Sequence, residues 1–274
     1  MSLRLPASLE HLRARIESCL EPCVVLSPAL ERGARGTYFG GEPLLPAGSQ
    51  WPRSDRGPLS FVGQLDFEEL AAAGGVALGL PAQGLAAIFY DVEAQPWGTE
   101  ADHADGFALI HCADRSTASR AELPDDVIPF DEEPLVASAA FSLPAASSAA
   151  GAALLEGQDR EVRSAYGNLV AALYADQVPH GVAALRQQVG GHPPFLGSDG
   201  QLAAALASRG VSARDLTAVS KRDLARARQE ASEWQLLWQL EPHDDRYTWA
   251  ATGSLFVLVH GGALDRAWLI YQPG

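Results

Sequence analysis

LSFVGQLDF (residues 59–67) and WQLLWQLEP (residues 234–242) are one pattern written twice. Aligned on Gln64 and Gln239, each reads apolar, polar, apolar, apolar, a variable position, glutamine, leucine and an acidic residue. Strand alternation puts Leu59, Phe61, Gly63 and Leu65 on one face, with Val62 and Gln64 on the other. In the second stretch Trp234, Leu236, Trp238 and Leu240 match the first face, and Leu237 with Gln239 match the second.

The correspondence extends outward. Upstream of each strand lies Gly-Gly-x-Pro, as Gly40, Gly41 and Pro43 in FGGEP and as Gly190, Gly191 and Pro193 in VGGHP. Downstream, Gly84 and Gly253 each open another apolar strand, GLAAIFYD and GSLFVLVH. Four elements in one order predict an internal duplication. The expected fold is α+β, with two related halves of mostly antiparallel sheet, covering helices and a shared cleft. The expected division is an N-terminal helix and lead-in strand (1–35), a first half-repeat (36–145), a linker (146–158) and a second half-repeat (159–274), packed as one unit.

The remaining elements follow from local signals. Ser8 is placed to cap a helix with Glu10 in its first turn and Leu9, Leu12, Ile16 and Leu20 on one face, which Pro22 ends. CVVLSP reads as a short buried strand. Pro43, Pro46, Gly48, Pro52, Gly57 and Pro58 make 42–58 a long irregular loop, which Leu45 and Trp51 predict to be packed. Strands are expected at 59–65, 85–91, 107–112 and 135–143, then helices at 160–176 and 201–209. A longer helical stretch is expected from Ser212 to about Glu233, followed by three closing strands.

Composition bounds the function. Hydrophobic residues at 47% and charged residues at 20% are globular values. Twenty basic against 34 acidic side chains leave a net charge of −14, which argues against nucleic acid or an anionic membrane as the main partner. Three cysteines, Cys19, Cys23 and Cys112, are too few for a disulfide framework. The start MSLRLPASLEHLRARIES carries no apolar run of signal type, and a reducing bacterial-type cytosol is the expected compartment.

The strings FGGEPLLPAGSQWP, PLSFVGQLDF and LPAQGLAAIFYD, with VGGHP, WQLLWQLE and GSLFVLV later, resemble the YwqG-like family (domain of unknown function 1963). The resemblance runs from about Gly36 to Gln272. His192 stands where that pattern has an aromatic, and 193–234 carries extra helix. It implies bacterial, largely cytosolic α+β proteins without an assigned activity, some encoded near polymorphic-toxin loci. No catalytic residue is carried over by it.

The residues themselves offer few sites. Neither Gly-Gly-x-Pro is followed by the Lys-Ser/Thr of a phosphate loop, so both read first as structural turns. A glutamine inside an apolar strand must satisfy two donors and two lone pairs. Gln64 and Gln239 therefore either bond the neighbouring loops or anchor a ligand in the cleft, with Trp51 and Trp234 as walls. Asp102, His103, His111 and Cys112 are zinc-type ligands, but their spacing fits no strong pattern, and His111 and Cys112 point to opposite faces. Asp91 with Glu93 is a carboxylate pair at a strand end, and EPHDD (241–245) reads as a solvated turn. No metal or other cofactor is expected. The helix around Lys221, Arg222 and Arg226 is a basic island and the candidate docking face for an acidic partner.

Two functions stay open. One is a non-catalytic module that binds another intracellular protein, of immunity-like type. The other is an enzyme or small-molecule binder using the cleft.

Overall fold

A computed structural model describes residues 3–29, 36–177, 187–241 and 253–274. The strands, in chain order, begin with β1 (Glu21–Pro28), β2 (Tyr38–Phe39), β3 (Leu44–Pro46), β4 (Arg53–Ser54) and β5 (Gly57–Pro58). Next come β6 (Ser60–Asp66), β7 (Leu85–Tyr90), β8 (Phe107–Cys112), β9 (Ala118–Arg120) and β10 (Glu133–Ser142). The last are β11 (Gln188–Val189), β12 (Trp234–Leu240), β13 (Gly253–His260) and β14 (Ala263–Pro273). The helices are α1 (Arg13–Ser18), α2 (Phe67–Ala72), α3 (Ala149–Leu154), α4 (Arg160–Ala175), α5 (Gly200–Ala207) and α6 (Lys221–Glu230).

Ten strands form one antiparallel sheet in the order β14-β13-β12-β11-β1-β10-β2-β6-β7-β8. It curls until it is nearly a barrel. Its two edges approach, with the Phe107 ring 5.4 Å from Trp268 and the Tyr271 amide donating to the Trp97 carbonyl at 3.2 Å. The inside is filled by Val24, Leu26, Val62, Leu65, Leu237, Trp238, Leu240 and their neighbours. Three coverings bury the outside. Helices α5 and α6 lie over β12–β14, the loop carrying Trp51 lies over β6–β8, and the N-terminal helices pack with α3 and α4.

Several local expectations are corrected. Simple alternation fails in the two motif strands, because a β-bulge interrupts each, between Phe61 and Gly63 and between Leu236 and Trp238. A bulge adds one residue and so reverses the face of everything after it. Leu59 and Phe61 therefore face the outer covering, whereas Val62 and Leu65 face the inside. Trp234 and Leu236 face outward in the same way, and Leu237, Trp238 and Leu240 inward.

Ser8 caps nothing, since the first helix begins as a 3-10 turn over Ala7–Leu12 after the extended Pro6. The helix expected from Ser212 starts only at Lys221, where the Ser220 hydroxyl accepts from the Asp223 amide. The stretch 146–158 contains α3, capped by Ser148, with Leu154 and Leu155 buried, so its small residues pack instead of merely connecting. The loop 42–58 is tied down by two ribbons, β3 against β9 and β4 against β5.

Both Gly-Gly pairs sit in the left-handed region, at φ 62° and 70° for Gly40 and Gly41 and at 68° and 66° for Gly190 and Gly191. A Cβ on Gly40 would also stand 2.3 Å from the Asp131 carbonyl oxygen. Gly40→Ala is expected to cost about 1–2 kcal/mol for the backbone alone, with the clash added. Urea denaturation reads it, and an unchanged midpoint would show that the turn relaxes freely.

Candidate functional site

Gln64 is fully buried on β6, and both polar atoms of its carboxamide are bonded inside the protein. Its Oε1 accepts from the Leu44 amide at 3.0 Å, and its Nε2 donates to the Gly36 carbonyl at 3.0 Å. It thereby clamps the chain entering β2 to the chain leaving the Gly-Gly turn. Tyr38, opposite it in the ladder, spans the same turn by donating its hydroxyl to the Glu42 carbonyl at 2.8 Å.

Gln239 is buried as deeply but is differently bonded. Its Nε2 donates to Glu241 Oε1 at 3.1 Å, and its Oε1 has no partner among the described residues. The residue one past the turn's proline explains the difference. It is Leu44 in the first stretch, with an amide to donate, and Pro194 in the second, with none. Gln188, the ladder partner of Gln239, spans its own turn by donating to the Gly190 and His192 carbonyls at 2.8 and 3.0 Å.

The two tryptophans lie in separate coverings. Trp51 meets Phe89 edge-on at 5.2 Å and donates its Nε1 to the Leu59 carbonyl at 2.8 Å. Trp234 packs under α5 and α6 and meets the His260 ring edge-on at 5.1 Å. Trp51, Gln64, Trp234 and Gln239 are therefore not gathered around one ligand. The space between the two motif strands is occupied as well. The Trp238 ring lies so close over Gly63 that a Cβ there would stand 2.7 Å from Cη2.

Asp66 ends β6 and starts α2. Its side chain accepts from the Glu68 and Glu69 amides and pairs with the Arg115 guanidinium. Burial raises its carboxyl above the usual range, against the lowering pull of Arg115. This cluster knits the first Gly-Gly segment to α2, since the Glu69 carboxylate also accepts from the Gly36 and Thr37 amides at 2.8 and 2.9 Å. Among the described residues, no group of three or more His, Cys, Asp or Glu side chains is arranged to hold a metal ion. His111 is exposed and Cys112 buried, and burial lowers the pKa of both His103 and His111. Of the EPHDD stretch, only Glu241 is among the described residues. Asp91 spends Oδ1 on the Glu93 and Ala94 amides, as a turn residue does.

The basic helix is where exposed charge and a concavity coincide. Lys221, Arg222 and Arg226 are exposed along α6, with Arg222 90% exposed. At the foot of α6 lies a recess of about 450 Å³, lined by Arg209, Arg226, Glu230, Glu233, His260 and Arg266 with Trp234 and Trp268 beneath. Glu230 binds Arg226 at 2.9 Å and Arg209 at 3.2 Å, and the Arg226 hydrogen bond, aided by Arg209, holds its carboxyl below the usual range. His260 Nε2 lies 3.2 Å from Glu233, while its buried Nδ1 has no partner among the described residues. Arg266 forms no ion pair among them. Sequence reading missed Arg209, His260, Arg266 and Trp268 because they come from a helix end and two strands. The available signal was the spacing of Arg266 and Trp268, which share a face of one strand.

Among the described residues no helix is long and apolar enough to cross a membrane. The family model described as "Domain of unknown function (DUF1963)" matches residues 37–268, and no curated protein matches the chain.

Proposed function

We propose that this chain, which belongs to the DUF1963 family, is a non-catalytic binding module that docks an acidic intracellular protein through α6. One observation carries the reading. In a chain of net charge −14, α6 turns Lys221, Arg222 and Arg226 outward beside an aromatic-floored recess. Such a local reversal of sign steers an oppositely charged partner and rejects like-charged ones. A cytosolic, immunity-like role fits this reading, as do the three unpaired thiols.

The proposal includes an origin of the scaffold by internal duplication. Outward from the central β1–β10 pair, each side runs through a two-residue strand, a bulged glutamine strand and two further strands. The glutamines, bulges and Gly-Gly turns fall at matching places, and so do Gly63 and Trp238, which touch. A second reading, a small-molecule binder between the halves, is favoured by a cavity of about 500 Å³ at the second turn. Leu78 and Leu80 reach it from the first half, and Gly190, Gly191, His192 and Arg228 from the second.

The test is affinity capture with the tagged chain as bait. Lys221→Glu together with Arg222→Glu should cut recovery of a stoichiometric partner at least tenfold without moving the melting temperature, since both side chains are exposed. Recovery that ignores the charge reversal would refute docking on α6. A blank with the unaltered chain would favour the cavity, to be followed by thermal shift with metabolites.

A further inference from the structure

The geometry points to the recess at the foot of α6 as a carboxylate seat, which takes an Asp or Glu side chain from an extended acidic segment of the partner. This rests on the binding-module reading and adds the group that is recognised and the residues that hold it.

Charge arithmetic selects the carboxylate. Arg209, Arg226 and Arg266 bring three positive charges, and Glu230 and Glu233 bring two negative ones, so these five side chains leave one positive charge over. A monoanion balances that remainder. A phosphate dianion would overshoot it and would face the two resident carboxylates.

Preorganisation supports the same group. Glu230 already holds Arg209 and Arg226 in carboxylate-binding geometry, at 3.2 and 2.9 Å, so their remaining N–H groups stand in fixed directions. Arg266 faces them across the recess with no ion pair among the described residues. The floor is dry. Trp234 and Trp268 are buried, and the Trp268 Nε1 is spent on the Gly98 carbonyl at 2.7 Å. A low-dielectric floor strengthens ion pairs formed above it. The recess volume, about 450 Å³, admits a side chain with its flanking backbone and exceeds what a bare ion needs.

The experiment uses the full chain labelled with ¹⁵N and titrated with acetyl-tetraglutamate amide, with acetyl-tetraglutamine amide and inorganic phosphate as controls. The indole signals of Trp234 and Trp268, assigned by Trp→Phe variants, should shift with the glutamate peptide and stay still with the glutamine one. Arg266→Ala, an exposed change that leaves the melting temperature in place, should weaken binding about tenfold. Still indole signals, or an affinity indifferent to Arg266→Ala, would overturn the seat. Phosphate moving the same signals at equal or lower concentration would overturn the carboxylate assignment. The two readings fail separately. A partner lost on reversing Lys221 and Arg222 but kept in Arg266→Ala leaves the docking face standing and removes the seat.

Discussion

Replacing Trp238 by alanine should lower the free energy of unfolding by about 3–5 kcal/mol. The indole is fully buried inside the curled sheet and rests on Gly63, so its removal opens a void lined by two strands that cannot close over it. The reciprocal change tests the same contact from the other side. A methyl group on Gly63 would stand 2.7 Å from Cη2 of Trp238 and 3.0 Å from the Tyr38 carbonyl oxygen. Gly63→Ala alone should therefore cost about 1–3 kcal/mol by overpacking. Combined with Trp238→Phe it should cost less than the two single changes added together. Urea denaturation of the four proteins measures the coupling, and strict additivity would mean that the two positions do not meet.

Gln64→Leu is expected to be nearly as damaging, and Gln239→Leu is not. Removing the Gln64 carboxamide strands the Leu44 amide and the Gly36 carbonyl, at about 1–3 kcal/mol for each unsatisfied group. The loop of 42–58 and the entry to β2 lose their shared clamp at the same time. Gln239 holds no backbone group of its turn, because Pro194 offers no amide, and its Oε1 is already unpaired among the described residues. Leucine there gives up one hydrogen bond to Glu241 and removes a buried oxygen that has no partner among the described residues, so the loss should stay under about 1.5 kcal/mol. Equal destabilisation by the two substitutions would show that the glutamines play the same part after all. Ligand loss without destabilisation in Gln64→Leu would revive it as a binding residue.

The candidate site was only half legible from the sequence. The basic island on α6 could be read, because Lys221, Arg222 and Arg226 are neighbours in the chain. The recess beside it could not. It joins residue 209 at the end of α5, residues 226–234 and residues 260–268 of two paired strands, and only the docking of α5 and α6 onto β12–β14 brings them together. The grouping of Trp51 with Trp234 failed for the complementary reason. Each follows its own strand to a different outer covering, and likeness of surroundings in sequence does not place two side chains in one space.

Legible in the chain alone were the family, the mixture of strands and helices and the two Gly-Gly turns. All of these are local: apolar periodicity, turn chemistry and repeated strings act over a few residues. The remainder came from contacts between distant parts of the chain. Strand alternation cannot foresee a bulge, so it grouped Phe61 with Leu65, although Phe61 faces the outer covering and Leu65 the inside. Nor can local chemistry tell that Trp238 fills the space above Gly63, or that Pro194 withholds from Gln239 the kind of amide that Leu44 gives Gln64. Those outcomes depend on which distant groups arrive at the same place, and packing of the curled sheet alone settles that.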